Sequence, residues 1–396
     1  MATIVTDRRV ASSDTSVYFS LQTNKGVINT SPVFSKAHLR VDGVFKPVIS
    51  FVQSSAVSNR RQGKSNIKDT TEYTGEINFE LNKQTAIFLD AIIHGTQVNN
   101  GVTLSTLSAN SVGFVDSGNS AFTNIVAGDW FNIIGLTNSA NNTKYKVLTK
   151  NSNGDVVTYT PPVATEAEGP SVTIESSKTA NGSDQTYLTV QNRTTDKSIA
   201  GDVNYETFID AFIDTGSFSI PVSGIVTGTL AMKAEQVVSS SLSIAGQTDT
   251  ANETSESAGA TDTVRPMMVN GVAANCGVKS IDFSFSNSYQ IDLSAGCNTN
   301  SYAMGDSIEV GGAIETVAVV SDTFNWKRIF ESQTNKSIAI LFEWPDSTWM
   351  IIDILAAKIT EHSMPNGANT VSSNSMTYSA EEDTTLESTV HIFRNF

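Results

Sequence analysis

Charge is scarce in this 396-residue chain and cysteine scarcer still: charged residues make up 16%, and there are 2 cysteines. Two thiols, Cys276 and Cys297, without a CxxC pair exclude a disulfide scaffold and a zinc site. Buried thiols or one bridge across a single loop are the two readings left. The four histidines, His38, His94, His362 and His391, form no HxH or HExxH spacing, and no GxSxG elbow, Walker A loop or GxGxxG occurs. Glu381, Glu382 and Asp383 read as a solvated charge run rather than a glycosidase pair. The acidic clusters also lack the Gly-bearing spacing of a calcium loop. No run approaches the 18 or more apolar residues that span a bilayer as a helix. Behind Arg8 and Arg9 no apolar stretch follows, so no secretory signal is expected and folding in the cytoplasm is the simplest reading. Neither an enzyme nor a cofactor is expected.

What the chain does have is a large polar, weakly charged fraction around a real core. Ser, Thr and Asn supply roughly a third of the residues, and hydrophobic residues supply 39%. Acidic residues outnumber basic ones 40 to 25, for a net charge of -15. Such a surface has little electrostatic reason to hold nucleic acid, because Lys and Arg contacts to phosphate supply most non-specific affinity.

Alternation with a period of two dominates. Ile77, Phe79 and Leu81 alternate with polar neighbours, as do Ile281, Phe283 and Phe285, and Phe218, Ile220 and Val222. Each pattern predicts a strand with one buried and one wetted face. Val390 and Ile392 flank His391, which is expected on the solvated face. Asn-Gly pairs at 100–101, 153–154, 181–182, 270–271 and 366–367 favour tight, positive-φ turns. Helical spacing is rare. Residues 83–94 place Ile87, Phe88, Ala91 and Ile92 on one face, with Gly95 as C-cap and His94 as a cation complementing the helix dipole. Residues 324–331 bury Phe324, Ile329 and Phe330, with Trp326, Trp344 and Trp349 filling a core beside them. Both helices follow a strand and lead back to strands, a plan that occurs twice although no residue-level repeat is visible.

The expected organisation follows. Residues 1–100 and 175–244 form one unit interrupted by a small β module at 101–174, residues 245–263 form an acidic flexible linker or loop, and 264–396 form a second unit. One basic cluster stands out: Arg60, Arg61, Lys64 and Lys68 lie in a polar stretch between two strand patterns. It reads as an exposed hairpin loop, or as a loop that docks on an acidic surface of another copy.

The layout resembles the tail tube (major tail) proteins of long-tailed, non-contractile bacteriophages. The likeness rests on AGDWFNIIGLTNSANNTKYKVLTKNSNGDVVTYTPPVATEAEGPSVTIE, which is similar to their inserted β module. It rests also on FIDAFIDTGSFSIPVSGIVTGTLAMKAEQ and MMVNGVAANCGVKSIDFSFSNSY, which resemble tube strand pairs. The resemblance implies a mostly β fold: two tail-tube-type β-sandwiches, each with a flanking short helix, plus an inserted small β-barrel or sandwich module. It implies edge-to-edge pairing of copies into stacked rings, a virion location, and tape measure and tail tip or terminator proteins as partners. DNA would pass through the lumen without specific binding, and no membrane is involved. Two tube units per chain would close a trimeric, pseudo-hexameric ring, and one unit per chain a hexameric ring. In this reading Arg60, Arg61, Lys64 and Lys68 belong to an inter-ring or inter-subunit loop. The alternative is a β-sandwich cell-surface adhesin or carbohydrate-binding protein, which the same composition suits.

Overall fold

The computed structural model of the chain describes residues 15–37, 39–41, 45–53, 66–118, 120–168, 171–195, 203–250, 257–274, 278–292, 301–303, 305, 307–317, 325–364 and 373–396. His38, Phe324, both cysteines and the Asn-Gly pair at 366–367 lie outside the described residues. The fold is mostly β, with two short helices, α1 (Ile87–Ile92) and α2 (Trp326–Ser332).

Eight strands form one continuous antiparallel layer, here called the inner sheet. Its ladder order is Lys46–Gln53, Asn66–Glu80, Thr227–Ala234, Val203–Ile220, Val278–Ser286, Glu309–Val317, Ser373–Glu381 and Trp349–Ser363. Period-2 alternation turns Ile77, Phe79, Phe218, Ile281, Phe283 and Phe285 to one face, where all are buried. Val222 breaks from the pattern and is 63% exposed, because the strand ends at Ile220 and Pro221 cannot continue its ladder.

Two strands of the layer are long enough to serve two sheets. The first part of Val203–Ile220 turns away to pair with Leu188–Thr195 and Gln236–Ser240, and Leu188–Thr195 pairs in turn with Thr15–Leu21. The first part of Trp349–Ser363 does the same with Lys336–Glu343 and Val390–Arg394, and Lys336–Glu343 pairs with Met268–Val269. Each outer sheet packs on the apolar face of the inner one. In α1, Phe88 fills the wedge between them, meeting Phe19 of the outer sheet at 4.3 Å and Phe79 of the inner sheet at 5.3 Å between ring centroids.

The two halves repeat one another in register, including their irregularities. Ile213↔Met232 is followed by Thr215↔Ala231, and Ile359↔Tyr378 by Glu361↔Thr377, so both ladders skip one residue at the same place. Leu188↔Ala211 then Val190↔Phe208 has its counterpart in Lys336↔Ala357 then Ile338↔Ile354. Gly75 lies opposite Met232, and Gly312 opposite Tyr378. A methyl group at Gly75 would press into the Phe45 ring, and one at Gly312 into the Asp282 carbonyl oxygen. Helix α1 stands in the connection from Asn66–Glu80 to Leu188–Thr195, and α2 in that from Glu309–Val317 to Lys336–Glu343.

A separate seven-stranded sheet runs from Val102–Leu104 to Val172–Glu175 around its own core of Phe114, Phe131, Tyr145 and Ile174. Its entry and exit lie side by side, since Val98–Asn99 pairs with Ser177–Ala180. Parts of the stretch 245–263, expected as a flexible linker or loop, make contacts with the main sheets. Thr248–Asp249 adds a parallel bridge to Val33–Lys36, and Ala258 is fully buried.

Several local expectations are corrected. Residues 83–86 form turns, and only Ile87–Ile92 is helical. His94, not Gly95, takes the left-handed conformation after α1, at φ 53. Asn270 and Gly271 both have positive φ, joining Met268–Val269 to Val272–Ala273 as a tight hairpin, and Gly154 has φ 86. Gly101 and Gly182 do not adopt positive φ. In α2 the fully buried residue is Trp326, with Ile329 and Phe330 partly buried.

Candidate assembly surfaces

The inner sheet turns its second face outward, and this face carries hydroxyls and carboxylates. Asn66–Glu80 contributes Glu76 and Asn78, and Thr229 of the neighbouring strand donates its hydroxyl to Asn78 Oδ1 at 2.7 Å. Ser217, Ser219 and Ser284 stand at the centre, and Ser375, Thr377 and Ser379 farther along. Three lysines near this face are paired. Lys279 reaches Glu315 at 3.0 Å and holds its carboxyl below the usual range, Lys233 reaches Asp214 at 2.7 Å, and Lys358 reaches Glu381 at 3.5 Å. A surface of this kind wets well and gives phosphates little to hold.

The layer ends in two strand edges without a ladder partner among the described residues. On one side Lys46–Gln53 pairs only with Asn66–Glu80, and its outer edge exposes Val48, Ile49 and Phe51, the last 58% exposed. On the other side Trp349–Ser363 leaves Lys336–Glu343 at Ala357, so its last residues pair on one side only, with Ser373–Glu381. Open edges are sites for pairing with another chain.

The small module sits against the outer sheet of the second half, on the face turned away from the inner sheet. Trp130 of the module packs on Trp349, Ile351 and Phe393. Beneath them Asp353, 0% exposed, accepts from Trp130 Nε1 at 2.8 Å and from Lys146 Nζ at 2.6 Å. Lys144 pairs with Glu343, and Trp349 Nε1 donates to Glu175 Oε2 at 3.1 Å. Asp129, also buried, pairs with Lys178 at 3.0 Å, and desolvation raises its carboxyl pKa. Trp349 therefore fills the interface with the module, whereas Trp326 and Trp344 lie in the main core.

His391 is not solvated. It is 1% exposed, because the module covers the face it occupies and brings Asp129 Oδ1 to 3.8 Å from its Nδ1, and burial lowers its pKa to about 4. His94 is buried as well and lowered to about 4 by desolvation, so it is no cation for the helix dipole. Its Nδ1 accepts from Thr186 N at 3.1 Å, and its Nε2 lies 3.0 Å from the Tyr289 hydroxyl. Of the basic cluster, Arg60, Arg61 and Lys64 lie outside the described residues, and Lys68 stands in register with Phe51. The two open edges and the buried ion pairs under the module had no sequence motif to mark them.

The model of the phage tail tube protein family matches residues 12–380. The chain belongs to this family. No curated protein matches it significantly. Membership makes this tail tube protein a structural component of the virion, working in a multimeric tube with other tail proteins. Among the described residues no group of His, Cys, Asp and Glu is placed to hold a metal ion, and no helix is long and apolar enough to cross a membrane.

Proposed function

We propose that three copies of this chain close a pseudo-six-fold ring, and that rings stack into the hollow tail tube through which the genome leaves a long-tailed, non-contractile phage. The observation that carries this reading is the repeat in register: each half has the same inner ladder, the same two-sheet strand and the same skipped residues. Two equivalent units side by side in one continuous sheet already form a third of a six-unit circle. Residues 1–100 with 175–244 form the first unit and 264–396 the second, with the 101–174 module inserted in the first.

The polar face of the inner sheet lines the lumen in this arrangement. The outer sheets and the module occupy the other side, so a closed ring carries three modules on its exterior. Glu76, Asp282 and Glu315 keep the passage acidic, so DNA slides without being held. In this reading Arg60, Arg61, Lys64 and Lys68 belong to an inter-ring or inter-subunit contact; Lys68 lies in Asn66–Glu80, in the part of that strand that runs beyond the end of Thr227–Ala234 at Tyr73. These four residues supply clustered positive charge to an otherwise acidic chain, suited to contact between rings. A tape measure protein in the lumen and terminator or tip proteins at the ends complete the partners, and assembly takes place in the host cytoplasm.

Electron microscopy of the purified chain with a tail initiator complex, and mass photometry of the units released, test the reading. The expected result is a tube whose smallest closed unit has the mass of three chains. A six-chain unit would reduce each chain to a single tube unit. A chain that stays monomeric beside the initiator would refute the tube reading.

A further inference from the structure

The molecule contains a working example of its own ring seam. Where the two halves meet, Thr215–Ile220 pairs with Ile281–Ser286: Thr215↔Ser286, Gly216↔Phe285 and Ser217↔Ser284. The repeat assigns a counterpart to each side. Ile213↔Met232 matches Ile359↔Tyr378, so Thr215, Gly216 and Ser217 correspond to Glu361, His362 and Ser363. Met232↔Gly75 matches Tyr378↔Gly312, and from there Lys46↔Thr74 matches Ser284↔Gly311. Lys46, Pro47 and Val48 therefore correspond to Ser284, Phe285 and Ser286. Both counterparts are the edges that have no ladder partner among the described residues.

We infer that, in the ring proposed above, the end of Trp349–Ser363 pairs antiparallel with Lys46–Gln53 of the next copy, with Glu361 opposite Val48, His362 opposite Pro47 and Ser363 opposite Lys46. The partner is a second copy of this chain, and three features of the two edges fit it. Lys46 and Glu361 are both exposed, and both belong to the polar face. In this register they are diagonal neighbours across the seam, within reach of a charge pair. Within the chain, Asn287 N donates to the Asp214 carbonyl at 2.9 Å. This makes Gly216–Phe285 a hydrogen-bonded pair and Thr215–Ser286 and Ser217–Ser284 the close, non-hydrogen-bonded pairs. Pro47 then stands where the N–H of Phe285 donates into the internal seam, so the seam between copies has one ladder bond fewer. A proline whose missing N–H faces outward is how a sheet edge is kept from pairing indiscriminately.

Cysteine pairs and charge reversal test the register. In a C276S/C297S background, oxidised tubes of Lys46→Cys/Ser363→Cys should run on a non-reducing gel as a series that stops at three linked chains. Lys46→Cys/His362→Cys, slipped by one residue and so facing opposite sides, should stay unlinked. Lys46→Glu and Glu361→Lys should each lower tube yield at least about tenfold, and the double reversal should restore it. The seam is overturned, with the tube reading intact, if wild-type tubes form but the in-register pair does not link, if the slipped pair links equally, or if neither reversal lowers the yield. A wild-type chain that stays monomeric beside the initiator overturns both.

Discussion

His94 ends α1 in a left-handed turn and is packed against Tyr289, its ring nitrogens occupied by the Thr186 N–H and the Tyr289 hydroxyl. Burial holds it neutral down to about pH 4, whereas in the unfolded chain it takes a proton near its ordinary value of 6.5. Between those two values the unfolded state binds the extra proton, so stability is lost as pH falls from about 6.5 toward 4. His94→Asn keeps a residue suited to positive φ and removes the titration. Urea melts at pH 7 and 4.5 should show the variant losing less stability across that interval than the wild type, by at most about 3 kcal/mol. At Asp353 the issue is pairing. Asp353→Ala strands Lys146 in a buried site, which should cost about 3–5 kcal/mol in a denaturant melt. Lys146→Met/Asp353→Leu should recover part of that, because an apolar pair of similar volume replaces the ion pair, while Trp130 Nε1 and the Ser337 hydroxyl still lose their acceptor.

Strands are where the residue pattern speaks most directly. Ile77, Phe79, Ile281, Phe283 and Phe285 are buried as their alternation requires, and the polar residues between them face outward. The same rule fails at His391, since alternation places a side chain on a face but not the face in water; a second layer covers it. Helix α1 is only six residues, too short to form alone, and it exists because Phe88 and Ile92 are buried in the sandwich. Its length was therefore not legible from 3.6-residue spacing across 83–94. Gly75 and Gly312 hold equivalent places in the two halves. Gly312→Ala drives a methyl group toward the Asp282 carbonyl oxygen and the Tyr378 hydroxyl. It should destabilise the second half by about 1–3 kcal/mol, seen as a lower thermal midpoint, whereas Gly224→Ala should act through backbone conformation alone, since its added methyl meets open space.

For the whole molecule, the module tests how far the two-unit reading reaches. Because Asn99 and Ser177 are opposite each other in one ladder, residues 101–175 are removable with a short bridging turn. The inner sheet should survive this excision, and tubes should still form with a smooth exterior under the electron microscope. The exposed faces of Trp349, Ile351 and Phe393 should make the shortened chain aggregate. Replacing Ile351 and Phe393 with Thr should reduce that aggregation in a sedimentation assay.

Composition, alternation and turn residues by themselves determined that this chain is mostly β and has polar outward faces, and the sequence contains no catalytic or metal-binding motif. Those properties depend on neighbours in sequence, whose side chains alternate at fixed spacing. Tertiary structure alone decided that the halves share a register, that the 349–363 and 46–53 strands end the layer with one edge lacking a ladder partner among the described residues, and that His94, His391, Asp129 and Asp353 lie buried under other elements. These depend on which strands and layers meet in space. Register is set by where ladders begin and where they skip, and widely different side chains, Met232 and Tyr378 among them, satisfy the same position.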